Sequence, residues 1–312
     1  MEDKRIPVII LTGPTAVGKT DLSIQLAESL NAEIISADSM QIYKYMDIGS
    51  AKVTKEEMKD IKHYMIDEVD PSEPFSVSEF KERAEKYIDE IAAKGKNVIL
   101  TGGTGLYLSS IIYDMDFGKS DSDNELRNQL EEELKETSPE HMHEKLKVLD
   151  SEAAERIHPN NTKRVIRAIE VSMNGEKMND FSNDLKENEK YKPVIIVLNR
   201  DREILYDRIN RRVDIMMNAG LEKEVKELLE RGYTKDMISM QGIGYKEIIK
   251  YLDGEYTFDE AVELIKRGSR RYAKRQITWF KRYKEAKWFD IGEYSTPDEL
   301  KNDVLSYINA EI

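Results

Sequence analysis

The chain has 312 residues and carries 48 Lys and Arg against 61 Asp and Glu, so its formal net charge is −13. This acidic balance argues against a nucleic-acid partner, because neutralising phosphates requires clustered basic side chains. With 39% hydrophobic and 35% charged residues, the composition is that of a folded globular protein rather than a disordered one. The length of the chain suggests about two domains.

The first hundred residues alternate strand-like and helix-like patterns. Helical periodicity runs from Leu22 to Leu30, and a capping box of Ser76 and Glu79 begins a second helix that Gly95 ends. Strands are predicted at residues 6–11, 33–36, 63–69 and 97–100. Strands that alternate with helices predict an α/β fold with a parallel sheet flanked by helices.

The sequence pattern changes after residue 115. Between residues 116 and 190 the sequence is highly charged and helical with no strand signal, which predicts an all-helical insertion at 116–190 in a core formed by 1–115 and 191–312. The remaining predicted elements are strands at 193–198 and 288–291 and helices at about 201–218, 220–231 and 257–284. The helix at 257–284 is expected to be the last one of the chain.

Two classes of protein are disfavoured by what the sequence lacks. There is no cysteine, and the four histidines have no convincing ligand spacing, so disulfides, iron–sulfur clusters and transition-metal chemistry are not expected. No apolar run approaches the roughly 18 residues that a membrane span needs, and the N-terminal residues lead into a strand rather than a signal peptide. We therefore expect a cytoplasmic protein without a membrane partner.

The strongest motif is a complete G-x-x-x-x-G-K-[ST] between a predicted strand and a predicted helix. Its residues are Gly13, Pro14, Thr15, Ala16, Val17, Gly18, Lys19 and Thr20. In such a loop, backbone N–H groups and a helix N-terminus bind phosphates, the lysine adds charge, and the hydroxyl can bind Mg²⁺. The motif predicts a P-loop NTPase-like core that binds a di- or triphosphate, with Thr20 as the metal ligand and Mg²⁺ as the cofactor.

Two predicted strand ends add information about the reaction. The strand at 97–100 runs into Thr101 and two glycines with no Asp, where a Walker-B carboxylate would hold Mg²⁺, and this disfavours ATP hydrolysis. Asp38 follows the second strand, at the edge where α/β folds bind ligands. Asp38 fits a general base and the cap of a turn equally well, and the local sequence leaves both open.

Six blocks in chain order carry a resemblance to a known family. They read GPTAVGKT, ADSMQIYKYMDIGSAK, ILTGGTGLYL, HPNNTKRVIRAIEV, QGIGYKEI and AKRQITWFKRY. Together they resemble the tRNA dimethylallyltransferases, also called tRNA isopentenyltransferases, over nearly the whole chain. The resemblance implies transfer of a dimethylallyl group from dimethylallyl diphosphate to N6 of the adenosine 3′-adjacent to the anticodon of tRNA. Since eukaryotic members often have a C-terminal zinc finger, the lack of cysteine favours a bacterial-type enzyme, which we expect to be a monomer.

The resemblance also implies roles for individual residues. Asp38 would be the general base, Thr104 would handle the substrate at the reaction centre, and Arg212 and Lys19 would act on the diphosphate. From spacing alone, Arg212 would be a solvated helix-face residue. A diphosphate leaving group held by the phosphate loop and Mg²⁺ needs no γ-phosphate machinery, which accounts for the missing Walker-B carboxylate.

A tRNA-binding surface is implied in the same way. It comprises Asp38, Ser39, Met40, Gln41, Thr104, Lys163, Arg164, Val165, Ile166, Arg167, Gln241, Gly242, Ile243, Gly244, Tyr245, Lys246, Lys274, Arg275, Gln276, Ile277, Thr278, Trp279, Phe280 and Lys281. The insertion would grip the anticodon stem-loop, although a solvated basic face also explains its Lys and Arg residues. The target base would flip into a pocket at one end of a channel whose other end admits the diphosphate.

The basic residues are unevenly distributed. Residues 266–284 contain nine basic side chains and no acidic one, interleaved with Tyr272, Trp279, Phe280 and Tyr283, a mixture that suits backbone contact and base stacking. Trp279 fits the core and an RNA contact equally well. The net charge therefore limits the strength of nucleic-acid binding but does not exclude it. Two alternatives remain: a P-loop kinase of a nucleotide or small metabolite, and a non-enzymatic, nucleotide-dependent RNA-binding module.

Overall fold

The computed structural model describes residues 4–115, 117, 124–177 and 185–312. The chain divides into a larger unit, Met1–Asp114 with Glu187–Ile312, and a smaller unit, Met115–Lys186. The junctions lie within one and four residues of those predicted. Residues 187–190 join the larger unit because Asn188 donates from Nδ2 to the Ile111 carbonyl, at 3.2 Å, and accepts from the N–H of Lys190, at 2.9 Å.

One parallel sheet organises the larger unit. Its described strands are β1 (Ile6–Thr12), β2 (Ala32–Ser36), β3 (His63–Tyr64), β4 (Asn97–Gly102), β5 (Tyr191–Asn199) and β6 (Lys287–Asp290). They pair in the order β3-β2-β4-β1-β5-β6, and every pair is parallel. The predicted α/β fold is confirmed. The predicted strand at 63–69 is only two residues long because Met65 and Asp67 adopt positive φ angles of 63° and 56°, which turn the chain.

The helices cover most of the remaining described chain. They are α1 (Lys19–Leu30), α2 (Lys55–Met58), α3 (Val77–Ala93), α4 (Gly105–Ile112), α5 (Asn124–Glu136), α6 (Pro139–Leu149), α7 (Ser151–Arg156), α8 (Thr162–Met173), α9 (Arg202–Asn218), α10 (Leu221–Glu230), α11 (Tyr245–Leu252), α12 (Phe258–Phe280) and α13 (Pro297–Glu311). None of those described is both long and apolar enough to cross a membrane.

The structure contains helices that the sequence did not predict. The helix predicted at 257–284 is not the last one, since α13 follows it, with Thr296 as N-cap and a proline in its first turn. The four-residue α2 and the eight-residue α11 were not predicted either. The helix predicted at 257–284 ends at Phe280, and Tyr283 beyond it is buried against the core. By contrast, the capping box of Ser76 and Glu79 forms as predicted.

Alternation along the buried strands builds two apolar layers, one on each face of the sheet. Val8 and Ile10 of β1 belong to one cluster, which α3, α4 and α12 help to form, and Ile9 and Leu11 belong to the other, with α1 and α13. Because both faces are covered, the strands are continuously apolar. The sheet is therefore a rigid base for the loops at the carboxyl ends of its strands.

The described part of the smaller unit is entirely helical, as predicted for the insertion. Helices α5 to α8 pack around a separate apolar cluster that includes Leu130, Leu146 and Ile169. Glu170, whose side chain is completely buried, lies between Arg127, at 2.6 Å, and Arg167, at 2.8 Å. The unit therefore has its own core and an internal ion-pair network.

A buried carboxylate in β2 leads to a prediction about acid stability. Glu33 accepts hydrogen bonds from Tyr64 (2.7 Å), Lys94 (2.9 Å) and Lys96 (2.8 Å). Burial raises the pKa of Glu33, but these donors outweigh it and lower the pKa from 4.5 to about 2. A lowered carboxyl pKa stabilises the fold above pH 4.5, and this contribution disappears as the pH falls towards 2.

We expect Glu33→Gln to lower the free energy of unfolding by about 2 kcal/mol at pH 7, after allowance for solvent screening of the two half-exposed lysines. The difference from the unmodified protein should shrink steadily between pH 4.5 and pH 2. Denaturant titrations followed by circular dichroism measure it. Glu28→Gln is the matched control, because Glu28 forms an exposed ion pair with Lys59 and should have an effect below about 1 kcal/mol. A pH-independent difference for Glu33→Gln would contradict the prediction.

Candidate functional site

The phosphate-binding loop lies between β1 and α1, where the sequence predicted it. Gly13 has a φ of 151°, and a Cβ atom there would lie 2.6 Å from the Leu198 carbonyl oxygen, so a larger residue does not fit. The Lys19 ammonium is folded onto the loop and donates to the carbonyls of Gly13 (2.9 Å) and Pro14 (3.0 Å). The lysine and the N-terminus of α1 therefore face the same small space.

The ends of β2 and β4 are joined beside this loop. The N–H of Ala37 donates to the Thr101 carbonyl at 2.7 Å, and the N–H of Thr104 donates to the Ala37 carbonyl at 3.1 Å. The Thr104 hydroxyl accepts from the N–H of Ser39 at 3.1 Å. These hydrogen bonds bring Thr104, a predicted reaction-centre residue, next to the segment that carries Asp38.

Asp38 caps a turn, one of the two roles that the sequence left open. Its Oδ1 accepts from the N–H of Met40 at 2.9 Å and of Gln41 at 3.4 Å, which caps a turn. Among the described residues we find no hydrogen bond to Oδ2, and Asp38 lines the adjoining cavities. Because Oδ1 is tied to the turn, Oδ2 is held in one place and can act on a ligand.

Two cavities meet at Asp38. The phosphate cavity, about 730 Å³, includes Lys19 and Thr20 in its lining. The second cavity, about 350 Å³, has a mixed lining of apolar side chains such as Ile243 and Ile265 and of charged ones. Both are lined by Thr15, Asp38, Ser50, Ala51, Arg212, Met216 and Tyr272. The second cavity is also lined by the predicted residues Ser39, Met40, Gln241, Gly242, Lys246 and Arg275. The phosphate cavity and the second cavity therefore share one wall.

Two cations in the phosphate cavity lack full compensation by negative charge. Burial, followed by the positive charge of Arg212, lowers the pKa of Lys19 from 10.5 to about 8, and Asp38 opposes this shift. Burial also lowers the pKa of Arg212. Asp38 raises this pKa, Arg208 lowers it and Glu57 raises it. Arg212 is thus not the solvated residue that spacing alone suggests. Cations held in a desolvated site attract an anion strongly.

The tRNA-binding residues predicted by resemblance differ in their exposure. Exposed side chains are those of Lys163, Arg164, Gln241, Lys274, Arg275, Thr278 and Lys281. Buried residues are Val165, Ile166, Gly244, Tyr245, Gln276 and Phe280. Helical periodicity explains the mixture, because contiguous helical residues point in all directions. The buried side chains pack inside their own units and are not available for contact, so for these residues only backbone contact with RNA stays a prediction.

Aromatic residues of α12 and the turn after it are mostly structural. Phe280 and Tyr283 belong to the core, and the Trp279 indole N–H donates to the Ser109 hydroxyl at 3.1 Å. The half-buried Trp279 ring has the Arg282 guanidinium 4.9 Å from its centroid. Tyr272 differs, because it lines both cavities, and burial together with the Asp38 carboxylate raises its pKa to about 12. Its hydroxyl therefore stays protonated.

Sequence reasoning assigned a different role to one site residue and did not identify another. Gln276 was predicted as an RNA contact, yet its Oε1 accepts from the Thr15 N–H at 2.9 Å and its Nε2 donates to the Gly103 carbonyl at 2.9 Å. These partners lie 261 and 173 residues away in the chain, so no local signal could reveal the bridge. Arg208, which donates to the Ala16 carbonyl at 2.9 Å, could have been found, because it precedes Arg212 by four residues on the same helix.

This arrangement defines a P-loop type α/β protein in which a second cavity adjoins the phosphate cavity. The family model described as IPP transferase matches residues 41–283. The chain is 70% identical to a tRNA dimethylallyltransferase from Clostridioides difficile (strain 630), covering 99% of each, and 54% identical to one from Alkaliphilus oremlandii (strain OhILAs), covering 96% of each. The chain belongs to the IPP transferase family, the family of the tRNA dimethylallyltransferases, as the resemblance implied.

Solved structures agree with this assignment. The full-length tRNA isopentenylpyrophosphate transferase from Bacillus halodurans superposes with a TM-score of 0.74 at 42% identity and 98% coverage of each chain. A eukaryotic dimethylallyltransferase, solved in snapshots of its action on tRNA, has a TM-score of 0.80 at 30% identity, covering 96% of this chain and 80% of that one. The similarity extends over nearly all of this chain.

Proposed function

We propose that this protein transfers a dimethylallyl group from dimethylallyl diphosphate to N6 of the adenosine 3′-adjacent to the anticodon of tRNA. The products are N6-isopentenyladenosine and diphosphate. A tRNA dimethylallyltransferase that is 70% identical over 99% of this chain supports the activity. The observation that carries the mechanism is the meeting of the phosphate cavity and the second cavity at Asp38.

The phosphate cavity suits the diphosphate. Lys19 and Arg212 supply two half-buried cations, and the N-terminus of α1 adds oriented N–H groups. As the bond between C1 of the allyl group and the diphosphate oxygen breaks, negative charge grows on the leaving group. Cations that are already in place stabilise that charge without reorganisation.

The shared wall suits the transfer itself. An adenine flipped out of the anticodon loop would enter the second cavity and present N6 to C1 at the junction. The N6 lone pair forms the new C–N bond, the electrons of the C1–O bond leave with the diphosphate, and Asp38 Oδ2 accepts the proton from N6. Thr104 and Tyr272 are hydrogen-bonding groups beside Asp38 that can orient the base.

Mg²⁺ fits the donor atoms of the phosphate cavity. Thr20 offers a hydroxyl there, and the buried Thr101 hydroxyl, which has no partner among the described residues, lines the same cavity. No group of three or more carboxylate or imidazole side chains in the described chain is placed to hold a metal. Mg²⁺ commonly takes few protein ligands and completes its shell with phosphate and water. When bound, the ion would neutralise charge on the departing diphosphate.

The exposed basic side chains of α12, including Lys274 and Arg275, would contact the tRNA backbone. Lys163 and Arg164 would do the same from the smaller unit, which we propose grips the anticodon stem-loop. We further propose that the protein acts as a monomer in the cytoplasm, where its tRNA substrate is found.

The direct test is incubation with Mg²⁺, dimethylallyl diphosphate and unmodified tRNA, followed by digestion and mass spectrometry of the nucleosides. The expected product is N6-isopentenyladenosine. Its absence would overturn the proposal. Parallel reactions with ATP and nucleosides test the kinase alternative, which predicts phosphoryl transfer and no dependence on tRNA.

The lowered pKa of Lys19 predicts how diphosphate binding depends on pH. The free protein loses the Lys19 charge above about pH 8, whereas a bound diphosphate favours the charged form and raises its pKa. The dissociation constant should therefore rise between pH 8 and 9.5, by up to about tenfold per pH unit. Calorimetric titration with dimethylallyl diphosphate measures this. Lys19→Met should bind weakly at every pH, and a wild-type affinity that does not change over this range would contradict the assignment.

A further inference from the structure

The wall between the two cavities includes a short loop, residues 47–51, which we call the wall loop. Ser50 and Ala51 of this loop line both cavities. The Ala51 carbonyl accepts from Arg212 Nη2 at 3.5 Å and from Gln41 Nε2 at 3.3 Å. The wall loop therefore contacts one of the two half-buried cations of the phosphate cavity.

A single carboxylate on α10 holds the wall loop. Oε2 of Glu224 accepts from the N–H of Asp47 at 2.9 Å and of Ile48 at 2.7 Å, and Oε1 accepts from the N–H of Gly49 at 3.1 Å. Three consecutive amides that converge on one point form a typical anion-binding arrangement. Here a side chain of the same protein fills it, 175 to 177 residues away in the chain. Such charge-assisted hydrogen bonds are stronger than neutral ones.

A tyrosine completes the attachment. The hydroxyl of Tyr245, a fully buried residue of α11, donates to Glu224 Oε1 at 2.8 Å. Burial and the neighbouring Glu224 carboxylate raise the pKa of Tyr245 well above 10, so the hydroxyl stays a donor. A Cβ atom at Gly49 would lie 2.4 Å from the Tyr245 ring, so the loop packs directly on it. Three hydrogen bonds thus tie the wall loop to Glu224, a fourth joins Glu224 to Tyr245, and Gly49 packs closely on the Tyr245 ring.

We propose that Glu224 is a positioning residue that sets the affinity for the diphosphate by fixing the wall loop, and through Ala51 the place of Arg212. This inference rests on the proposed function. It also gives a different role to Tyr245, which resemblance places among the tRNA contacts: Tyr245 supports the loop from inside the fold.

The central variant is Glu224→Gln. The side-chain NH₂ of Gln replaces one acceptor oxygen of Glu224. At least one of the four donors, which are the N–H groups of the wall loop and the Tyr245 hydroxyl, then faces another donor. We expect the dissociation constant for dimethylallyl diphosphate to rise about 10- to 100-fold, and the KM for tRNA to change less than about threefold. Glu227→Gln on the exposed face of the same helix is the control, with no change expected. Tyr245→Phe removes one of the four hydrogen bonds and should give a smaller rise.

A double-mutant cycle separates positioning from folding. If Glu224 acts through Arg212, the tenfold or larger effect of Glu224→Gln should fall below about threefold in an Arg212→Lys background. Multiplicative losses, or equal affinities of Glu224→Gln and Glu227→Gln, would overturn the inference. If Glu224→Gln does not fold, the same cycle with Tyr245→Phe decides. The readout of this cycle is calorimetric binding of dimethylallyl diphosphate. A failure of the proposed function would be seen separately, as the absence of N6-isopentenyladenosine when the wild-type protein is assayed.

Discussion

Replacing Asp38 with Asn should lower kcat by about 10²- to 10⁴-fold, the usual effect of losing an acid–base group. The amide keeps an Oδ1 that can accept from the Met40 and Gln41 N–H groups, so the turn is preserved while the proton acceptor is lost. Affinity for tRNA should change little. Single-turnover kinetics and filter binding, measured side by side, test the two expectations.

Asp60→Asn is the matched control, because Asp60 is exposed and lies outside the lining of both cavities. It should leave kcat and tRNA affinity unchanged. If Asp38→Asn weakens tRNA binding as much as it slows the reaction, Asp38 is a binding residue and not the general base.

Lys19→Ala should reduce kcat/KM for dimethylallyl diphosphate by about 10²- to 10³-fold, because it removes a half-buried cation from the leaving-group site. Binding of tRNA should survive, since Lys19 contacts the phosphate loop and lines only the phosphate cavity. Steady-state kinetics with each substrate varied in turn would show a change confined to the diphosphate side.

Lys4→Ala, which removes an exposed lysine of the larger unit, controls for loss of one positive charge and should behave as the unmodified protein. The assignment of the phosphate loop would be untenable if Lys19→Ala abolished tRNA binding while diphosphate affinity persisted.

Local pattern was enough to predict most of the larger elements. The apolar run at 6–11 became β1, and the boundaries of α9 and α10 lie within a residue of those predicted. Three of the errors have a local cause. Positive φ angles end β3 early, α11 is too short to show a clear periodicity, and α13 is marked mainly by its N-terminal cap. The Thr296-Pro297 start of α13 is a recognisable N-terminal signal, so that helix was within reach of the sequence.

The site was only partly predictable. The phosphate loop is a contiguous motif and its chemistry follows from it, and Asp38 was located by its place after a strand. The burial of Arg212, the bridge made by Gln276 and the attachment of the wall loop to Glu224 each depend on residues more than 150 positions apart. Such contacts have no periodic or local signature.

The overall acidic composition is also an incomplete guide to the partner of this protein. A net charge of −13 argued against an RNA partner, but it averages the basic stretch at 266–284 with acidic surfaces elsewhere. By itself, the sequence determined the α/β class, the phosphate loop and, through six ordered blocks, the family. Only the tertiary structure decided which basic and aromatic side chains are exposed, and that two cavities meet at Asp38. The reason is that burial and cavities are made by segments far apart in the chain, and their positions follow from packing rather than from local preference.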